Sequence, residues 1–299
     1  MNQSDADDRR CRLVAALVGV MAVSAAGPLR AGDGPNVCSA TARAAFRACQ
    51  HEARDDYWIA VGGCKNESDA DERAECKADA ETERDEVLNE ECPDQKEARL
   101  DLCDALGEGP YDPEIDPASF LSPAETAADP NPWLPLVVGS VWRYEGGDET
   151  IIVTVTDRTK EILGVTTIVV RDVVEEDGEP VEDTDDYFAQ DRDGNVWYFG
   201  ELSKNFEDGE LVDIEGSWTA GVELAKAGIV MKADPMVGDV YRQEFLLGEA
   251  EDVGEVTAID GSESVPAASC DGTCVVTRDT TPLEPDVAEA KYYAPGVGL

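Results

Sequence analysis

The sequence predicts an α+β protein, in which an antiparallel helical hairpin linked by disulfides precedes an all-antiparallel β meander that forms a curved sheet or half-barrel. Residues 36–106 are rich in Ala, Glu, Asp, Arg and Lys and carry six cysteines, whereas residues 133–299 form short alternating apolar runs separated by turn residues. The first composition favours helices, and the second pattern is typical of strands with one buried face. A chain of 299 residues has room for two domains.

Residues 1–31 predict a secretory signal peptide. Basic residues from Arg9 to Arg12 precede an apolar run from Leu13 to Ala26. Small residues place cleavage after Ala26 or Ala31, and the run is too short to span a membrane comfortably, so no transmembrane segment is expected in the mature chain. Cys11 is lost with the signal, which leaves eight of the nine cysteines, an even number that favours disulfides and a secreted or periplasmic location.

Six cysteines in residues 36–106 predict a ladder of three nested disulfides. The gaps between them are 11 and 15 residues on the first arm, 12 across the turn, and 16 and 11 on the second arm. In an antiparallel hairpin both arms rise equally per residue, so these mirror-image positions lie level with one another. Zinc is the competing use of clustered cysteines, but their spacing is not that of zinc knuckles and the single histidine, His51, stands alone. The predicted pairs are Cys38 with Cys103, Cys49 with Cys92, and Cys64 with Cys76.

The two arms are expected to meet in a turn at residues 66–68, where Ser68 caps the second helix, and Pro93 is expected to bend or break that helix. Two helices alone bury little apolar surface, so the disulfides are expected to replace the missing core, at about 2–4 kcal/mol each. Residues 107–132 carry six of the 16 prolines and predict a semi-extended linker, which would leave the hairpin as a rod outside the β domain.

Ten strands joined mostly by short turns are predicted in the β domain, residues 133–299, which favours an antiparallel meander. The long connection, residues 219–238, is expected to lie across one face or mouth of the sheet. Cys270 and Cys274 predict a local disulfide that pins a hairpin, and a redox-active pair is the alternative. The predicted strands cover residues 140–145, 151–156, 164–174, 181–190, 195–203, 210–217, 240–247, 253–260, 273–281 and 286–294.

Three segments of the β domain resemble a family of uncharacterised secreted bacterial proteins. They run from Tyr187 to Glu201 (YFAQDRDGNVWYFGE), from Gly238 to Glu244 (GDVYRQE) and from Lys291 to Gly298 (KYYAPGVG). The opening segment from Asn131 to Leu136 is also similar to the start of that family's β domain. The resemblance covers roughly residues 130–299 and implies a shared β domain, and the family brings no established activity.

One candidate metal site stands out in the β domain. Asp191, Asp193 and Asn195 have the one-three-five spacing of a calcium loop, but Gly194 and Leu202 do not fit the remaining positions. A tight hairpin turn is therefore the preferred interpretation, and calcium is the alternative cofactor. After this turn, Tyr198 is expected to face the side opposite Trp197 and Phe199, where aromatic residues either pack or bind a ligand.

Composition narrows the function without identifying it. The chain has 24 Lys and Arg against 66 Asp and Glu, a net charge of −42, and therefore lacks the basic surface that a nucleic-acid partner requires. No catalytic residues are predicted, because no nucleophile motif accompanies the single histidine. We expect a non-enzymatic binding or structural module, with a small apolar ligand in the β domain. The alternatives are a calcium-stabilised surface or matrix protein and a carboxylate-dependent hydrolase.

Overall fold

Three long helices begin the structure, a computed structural model that describes residues 36–299. Helix α1 (Val37–Cys64) forms one arm of a hairpin, and helices α2 (Ala70–Glu86) and α3 (Cys92–Leu106) form the other. The predicted signal peptide, residues 1–31 with Cys11, lies outside the described residues. Among residues 36–299, no helix has the length and apolar character needed to cross a membrane.

The second arm remains helical through Pro93. Residues Val87–Glu91 form a π-helical turn between α2 and α3, and Pro93 lies in the first turn of α3. A proline inside a regular α-helix removes one hydrogen bond and collides with the carbonyl four residues earlier, a conflict that the wider turn relieves. The predicted bend or break at Pro93 is thus a local change of helix type.

The cap of α2 differs by one residue from the prediction. The side chain of Asp69, and not that of Ser68, accepts hydrogen bonds from the backbone N–H groups of Asp71 and Glu72. Aspartate is among the best residues at this position, because its carboxylate also interacts favourably with the positive end of the helix dipole.

Three disulfides join the arms along their length, in the pairs that the spacing predicts. The Cα–Cα distances are 5.6 Å for Cys38–Cys103, 5.8 Å for Cys49–Cys92 and 5.7 Å for Cys64–Cys76. The seam between the arms is lined by small side chains, among which Ala42, Ala45, Ala53 and Ala80 are buried. Such residues allow close approach but bury little apolar area, so the covalent links hold the arms together in place of a larger core.

Residues 107–132 pack against the β domain, and α3 contacts that domain directly through Arg99, so the hairpin is not a rod outside it. This segment contains a 3₁₀ turn (Pro117–Ser119) and a short helix α4 (Pro123–Ala128). Phe120 is 8% exposed and belongs to an apolar cluster on the sheet. The Tyr111 hydroxyl donates a hydrogen bond of 2.8 Å to the carbonyl oxygen of Ala227. The proline content predicts a stiff linker. In the structure, however, the contacts of Phe120 and Tyr111 make this segment part of the β domain.

Within residues 36–299, fourteen antiparallel strands form a curled half-barrel sheet and a smaller second sheet, which confirms the predicted α+β fold. The main path of the large sheet is β1-β2-β3-β4-β5-β9-β11, and the small sheet has the order β10-β12-β13-β14. The bounds are β1 (Val141–Gly146), β2 (Glu149–Ile162), β3 (Val165–Glu176), β4 (Glu179–Gln190), β5 (Val196–Leu202), β6 (Asn205–Glu207), β7 (Glu210–Asp213), β8 (Trp218–Thr219), β9 (Lys226–Met231), β10 (Val240–Arg242), β11 (Glu244–Phe245), β12 (Val253–Ser264), β13 (Ser269–Thr280) and β14 (Ala288–Tyr293).

Strand β9 lies inside the long connection that was predicted to cross one face of the sheet. It pairs with β5 and β11 and so completes the large sheet. Gly228 interrupts the apolar alternation of this strand, which obscures the strand in the sequence. The structure requires the glycine, because a Cβ atom there would collide with the backbone of Arg242 and Gln243. Gly228 thus lets strand β10 lie close against β9.

Apolar side chains fill both faces of the large sheet. One cluster lies between the two sheets and includes Ile168, Met231 and Val275. A second cluster on the opposite face includes Phe199, Trp218 and Phe120. Packed side chains therefore fill these two regions of the curved sheet.

Candidate functional site

A pocket of about 360 Å³ lies where the helical hairpin meets the β sheet. Its walls come from the start of α1, the end of α3, the chain that follows α3, and strands β9, β10 and β11. Volumes of this size with mostly apolar walls are typical of small-molecule sites. The apolar lining includes Val37, Ala42, Leu106, Tyr111, Ile229 and Phe245.

One polar part of the lining is a buried ion pair. Arg99 on α3 and Glu251, which follows β11, have side chains that are 5% and 1% exposed. Arg99 Nη2 lies 2.7 Å from Glu251 Oε1, and Arg99 Nε lies 3.1 and 3.0 Å from the two carboxylate oxygens. The backbone N–H of Gly248 donates a further hydrogen bond of 2.9 Å to Oε1. Buried charges need such complete pairing, and this pair attaches α3 to the β domain.

A second arginine, Arg242 on β10, lines the same pocket and is 8% exposed. Its guanidinium lies 4.5 Å from the ring centroid of Phe245 and 5.6 Å from that of Tyr111. Among residues 36–299, its buried Nη1 atom has no hydrogen-bond partner. Burial lowers the pKa of Arg242 from its usual value, with nearby Arg99 adding to the effect and Glu251 opposing it.

The chain after α3 closes one side of the pocket. Tyr111 is held by its hydrogen bond to Ala227, and burial raises its pKa to about 12. The carboxylate of Asp112 lies 2.5 Å from Lys226 Nζ, which attaches the same segment to the start of β9. These contacts place the Tyr111 ring beside Arg242 although the two residues are far apart in the sequence.

A larger groove of about 730 Å³ runs along the hairpin seam, lined by Ala44, Ala48 and Ala60 together with Leu247 and Leu283 of the β domain. Near it, Trp58 and Ile59 are 65% and 67% exposed. His51 is also exposed on α1. The groove is also lined by charged side chains, of which Arg84 and Arg99 are already paired with acids.

A cluster of acids lies on the large sheet around Tyr198. The Tyr198 hydroxyl is 2.6 Å from Asp186 Oδ1 and 2.8 Å from Glu201 Oε2. Burial raises the pKa of Glu201 to about 7 and that of Asp186 well above its usual value. Neighbouring acids raise both pKa values further, because they disfavour the charged forms. The hydroxyl occupies the position between the carboxylates that a substrate atom would need, so this pair does not favour the hydrolase hypothesis.

Asp191, Asp193 and Asn195 form a turn between β4 and β5. The Asp191 carboxylate accepts hydrogen bonds from the backbone and side chain of Asn195, at 2.8 and 2.9 Å, and from Trp197 Nε1, at 2.8 Å. Asn195 Oδ1 accepts a further hydrogen bond from the backbone of Ala233, and Asp193 is exposed. The oxygens of Asp191 and Asn195 therefore stabilise the turn, and Gly194 provides its positive φ of 89°. Calcium binding by this turn stays a prediction.

The other residues singled out in the sequence form a disulfide or pack in the core. Cys270 and Cys274 form a disulfide on β13 with a Cα–Cα distance of 5.6 Å, and both are buried against Val276. Phe199 is fully buried, while Tyr198 stacks on Phe188 with the ring centroids 4.7 Å apart. Among residues 36–299, no group of three or more His, Cys, Asp or Glu side chains is arranged to hold a metal ion.

Sequence reasoning missed the charged residues of the pocket. Arg99 and Glu251 are separated by 152 residues, and each is one charged side chain among many in an acidic chain. Arg242 had a weak signal, because a basic residue inside a predicted strand of a protein with a net charge of −42 is unusual. Its lack of a partner, however, can be seen only when the segments are folded together.

In comparisons with known proteins, no protein-family model, curated protein or solved structure matches this chain. The resemblance of three β segments to a secreted bacterial family therefore stays a prediction. In the structure the first segment forms the β4–β5 turn with the strand residues beside it, the second contains β10 with Arg242, and the third covers the end of β14 and the chain after it.

Proposed function

We propose that this chain is an exported, non-enzymatic binding module that holds a small and largely apolar molecule between its helical hairpin and its β domain. The observation that carries the proposal is the pocket of about 360 Å³, whose apolar walls come from both parts of the molecule. A single site built by two segments of the fold is a common location for a ligand. The location differs from the sheet interior that the sequence favours.

The architecture supports this proposal in a second way. The Cys38–Cys103 disulfide ties the first turn of α1 to the last turn of α3, and both turns contribute pocket residues. A rigid, preformed pocket loses little conformational entropy when it binds a ligand, which favours affinity. The disulfides are also consistent with an oxidising, non-cytoplasmic environment.

Two variants of α1 test whether the pocket binds ligands. Thr41 lines the pocket, whereas the neighbouring Ala40 is exposed and does not line it. Thr41→Phe is expected to fill the pocket and weaken the binding of a C8 amphiphile about tenfold or more, and Ala40→Phe is expected to leave it unchanged. Isothermal titration calorimetry measures both, and native mass spectrometry of protein from its own host would show a bound molecule. Equal affinities in the two variants would refute the proposal.

A further inference from the structure

We propose that the ligand of this pocket carries one anionic group, a carboxylate or a phosphate, which binds Arg242; this inference rests on the binding function proposed above. The remainder of the ligand is apolar, to match the walls formed by Val37, Ala42 and Ile229. The predicted ligand class is therefore a small anionic amphiphile.

The charges around the pocket leave one positive charge without a partner. Arg99 and Arg242 are cationic and Glu251 is anionic, and all three line the same cavity. The oxygens of Glu251 already accept hydrogen bonds from Arg99 and from the backbone of Gly248. An arginine does not lose its proton in a protein, so Arg242 cannot relieve its burial by becoming neutral. An anion from outside the chain would complete the pairing.

The aromatic contacts of Arg242 do not satisfy its hydrogen-bonding groups. Phe245 and Tyr111 interact with the guanidinium as a cation, at 4.5 and 5.6 Å from their ring centroids, and these contacts use no N–H group. A guanidinium held in this way presents several parallel N–H donors, which match the two oxygens of a carboxylate or phosphate.

Other ligand chemistries fit the pocket less well. A cationic ligand would meet Arg242 and would find Glu251 already paired with Arg99. A neutral apolar ligand would displace water from the lining and leave the arginine without any polar partner, which is unfavourable. The chain as a whole is strongly acidic, with a net charge of −42. The buried positive charge of Arg242 therefore makes the pocket a local site for an anion.

The test compares four C8 compounds with different head groups: octanoate, octyl phosphate, octan-1-ol and octylammonium. Calorimetric titration of the full chain is expected to give at least about tenfold tighter binding for octanoate or octyl phosphate than for octan-1-ol, and no detectable binding of octylammonium. The tighter of the two anions identifies the head group. Equal affinity for octanoate, octyl phosphate and octan-1-ol would overturn the anion inference but leave the proposed function, whereas failure of all four to bind would refute both.

Variants assign the preference to Arg242. Arg242→Met is expected to reduce the affinity ratio of octanoate to octan-1-ol to about one, since the charge is lost while an apolar stem remains. Arg242→Lys keeps the charge without the fork and is expected to retain part of the ratio. The matched control is Arg143→Met, which removes an exposed arginine whose side chain is 52% exposed. A folded Arg242→Met variant that keeps the wild-type ratio contradicts the inference. A wild-type ratio of about one contradicts it as well.

Discussion

At the scale of single residues, Tyr198 places two acids in an arrangement that needs a shared proton. One hydroxyl proton can be donated to only one carboxylate, so the second hydrogen bond requires that the other acid be protonated. Asp172, on the neighbouring strand β3, has its pKa raised to about 6 by burial and by Glu182. Glu244 on β11 also has a strongly raised pKa, because burial and the nearby Asp252 disfavour its charged form. These acids couple protonation to folding.

The first prediction is that stability falls as the pH rises from about 5 to about 8. In the folded protein Asp172 and Glu201 keep their protons up to about pH 6 and pH 7, respectively. Unfolded carboxyl groups lose theirs near pH 4, so the folded state binds more protons in this interval, and its advantage is lost as the pH rises. Thermal unfolding followed by circular dichroism at fixed ionic strength measures the slope.

Substitution identifies the residues responsible for this slope. Glu201→Gln is expected to flatten the dependence of the melting temperature on pH, because the amide has no proton to lose in this range. Glu145→Gln is the control, since its side chain is 68% exposed. A melting temperature that increases steadily over the same interval in the native protein would show that the buried acids do not control its stability.

At the scale of secondary-structure elements, glycines have different roles in helix α1 and strand β9. Gly62 lies inside α1, where a Cβ atom would have no neighbour within 4 Å. Gly228 lies on β9, where a Cβ atom would collide with the backbone of the strand that carries Arg242. The same substitution to alanine should therefore have opposite effects at the two positions.

The second prediction concerns these two alanine variants. Gly62→Ala is expected to raise the free energy of unfolding by about 0.5–1 kcal/mol, because alanine loses less backbone entropy in a helix. Gly228→Ala is expected to lower it by about 1–3 kcal/mol, because β10 has to move away. Urea unfolding with equal slopes gives both values. If Gly228→Ala is as stable as the native protein, the close approach of β9 and β10 does not constrain the fold.

At the scale of the whole molecule, the hairpin and the β domain belong to one compact unit, which the structure describes over residues 36–299. The buried pair of Arg99 and Glu251 and the hydrogen bond of 3.0 Å from Gln95 Nε2 to the Leu283 carbonyl connect the two parts directly. The disulfides therefore hold the hairpin in a shape that fits the sheet, and the pocket depends on that fit.

The third prediction separates the ladder from the local disulfide. Replacing Cys38 and Cys103 by serine removes a link between residues 65 apart, and is expected to lower the free energy of unfolding by about 2–5 kcal/mol. It should also increase hydrogen exchange at the ends of α1 and α3 and weaken ligand binding in the pocket. Hydrogen-exchange mass spectrometry and calorimetry measure these effects.

The control for this variant is the serine replacement of Cys270 and Cys274. Their disulfide joins residues only four apart in the sequence and does not line the pocket. Its smaller loop constrains the unfolded chain less, and ligand affinity should remain unchanged. Equal loss of binding in the two double variants would mean that the ladder has no specific role in shaping the pocket.

Much of the fold follows from short-range patterns in the sequence. The pairing of six cysteines depends only on spacing along two helices, because the rise per residue is the same in both arms. The alternation of apolar residues predicts most of the strands and the antiparallel order, since strand side chains alternate between faces. Strand β9 is not predicted because its Gly228 is required by the backbone of a segment distant in the sequence. The packing of residues 107–132 is not predicted because it depends on contacts with distant strands, such as those of Tyr111 and Phe120.

The sequence by itself determines the acidity of this protein, its disulfide ladder and its helix-then-sheet order. Only the tertiary structure decides where a ligand could bind and which acids keep their protons. The physical reason is that these properties depend on the removal of water around groups that are distant in the chain. Arg99 and Glu251 pair across 152 residues, and by doing so leave Arg242 as a buried cation without a partner.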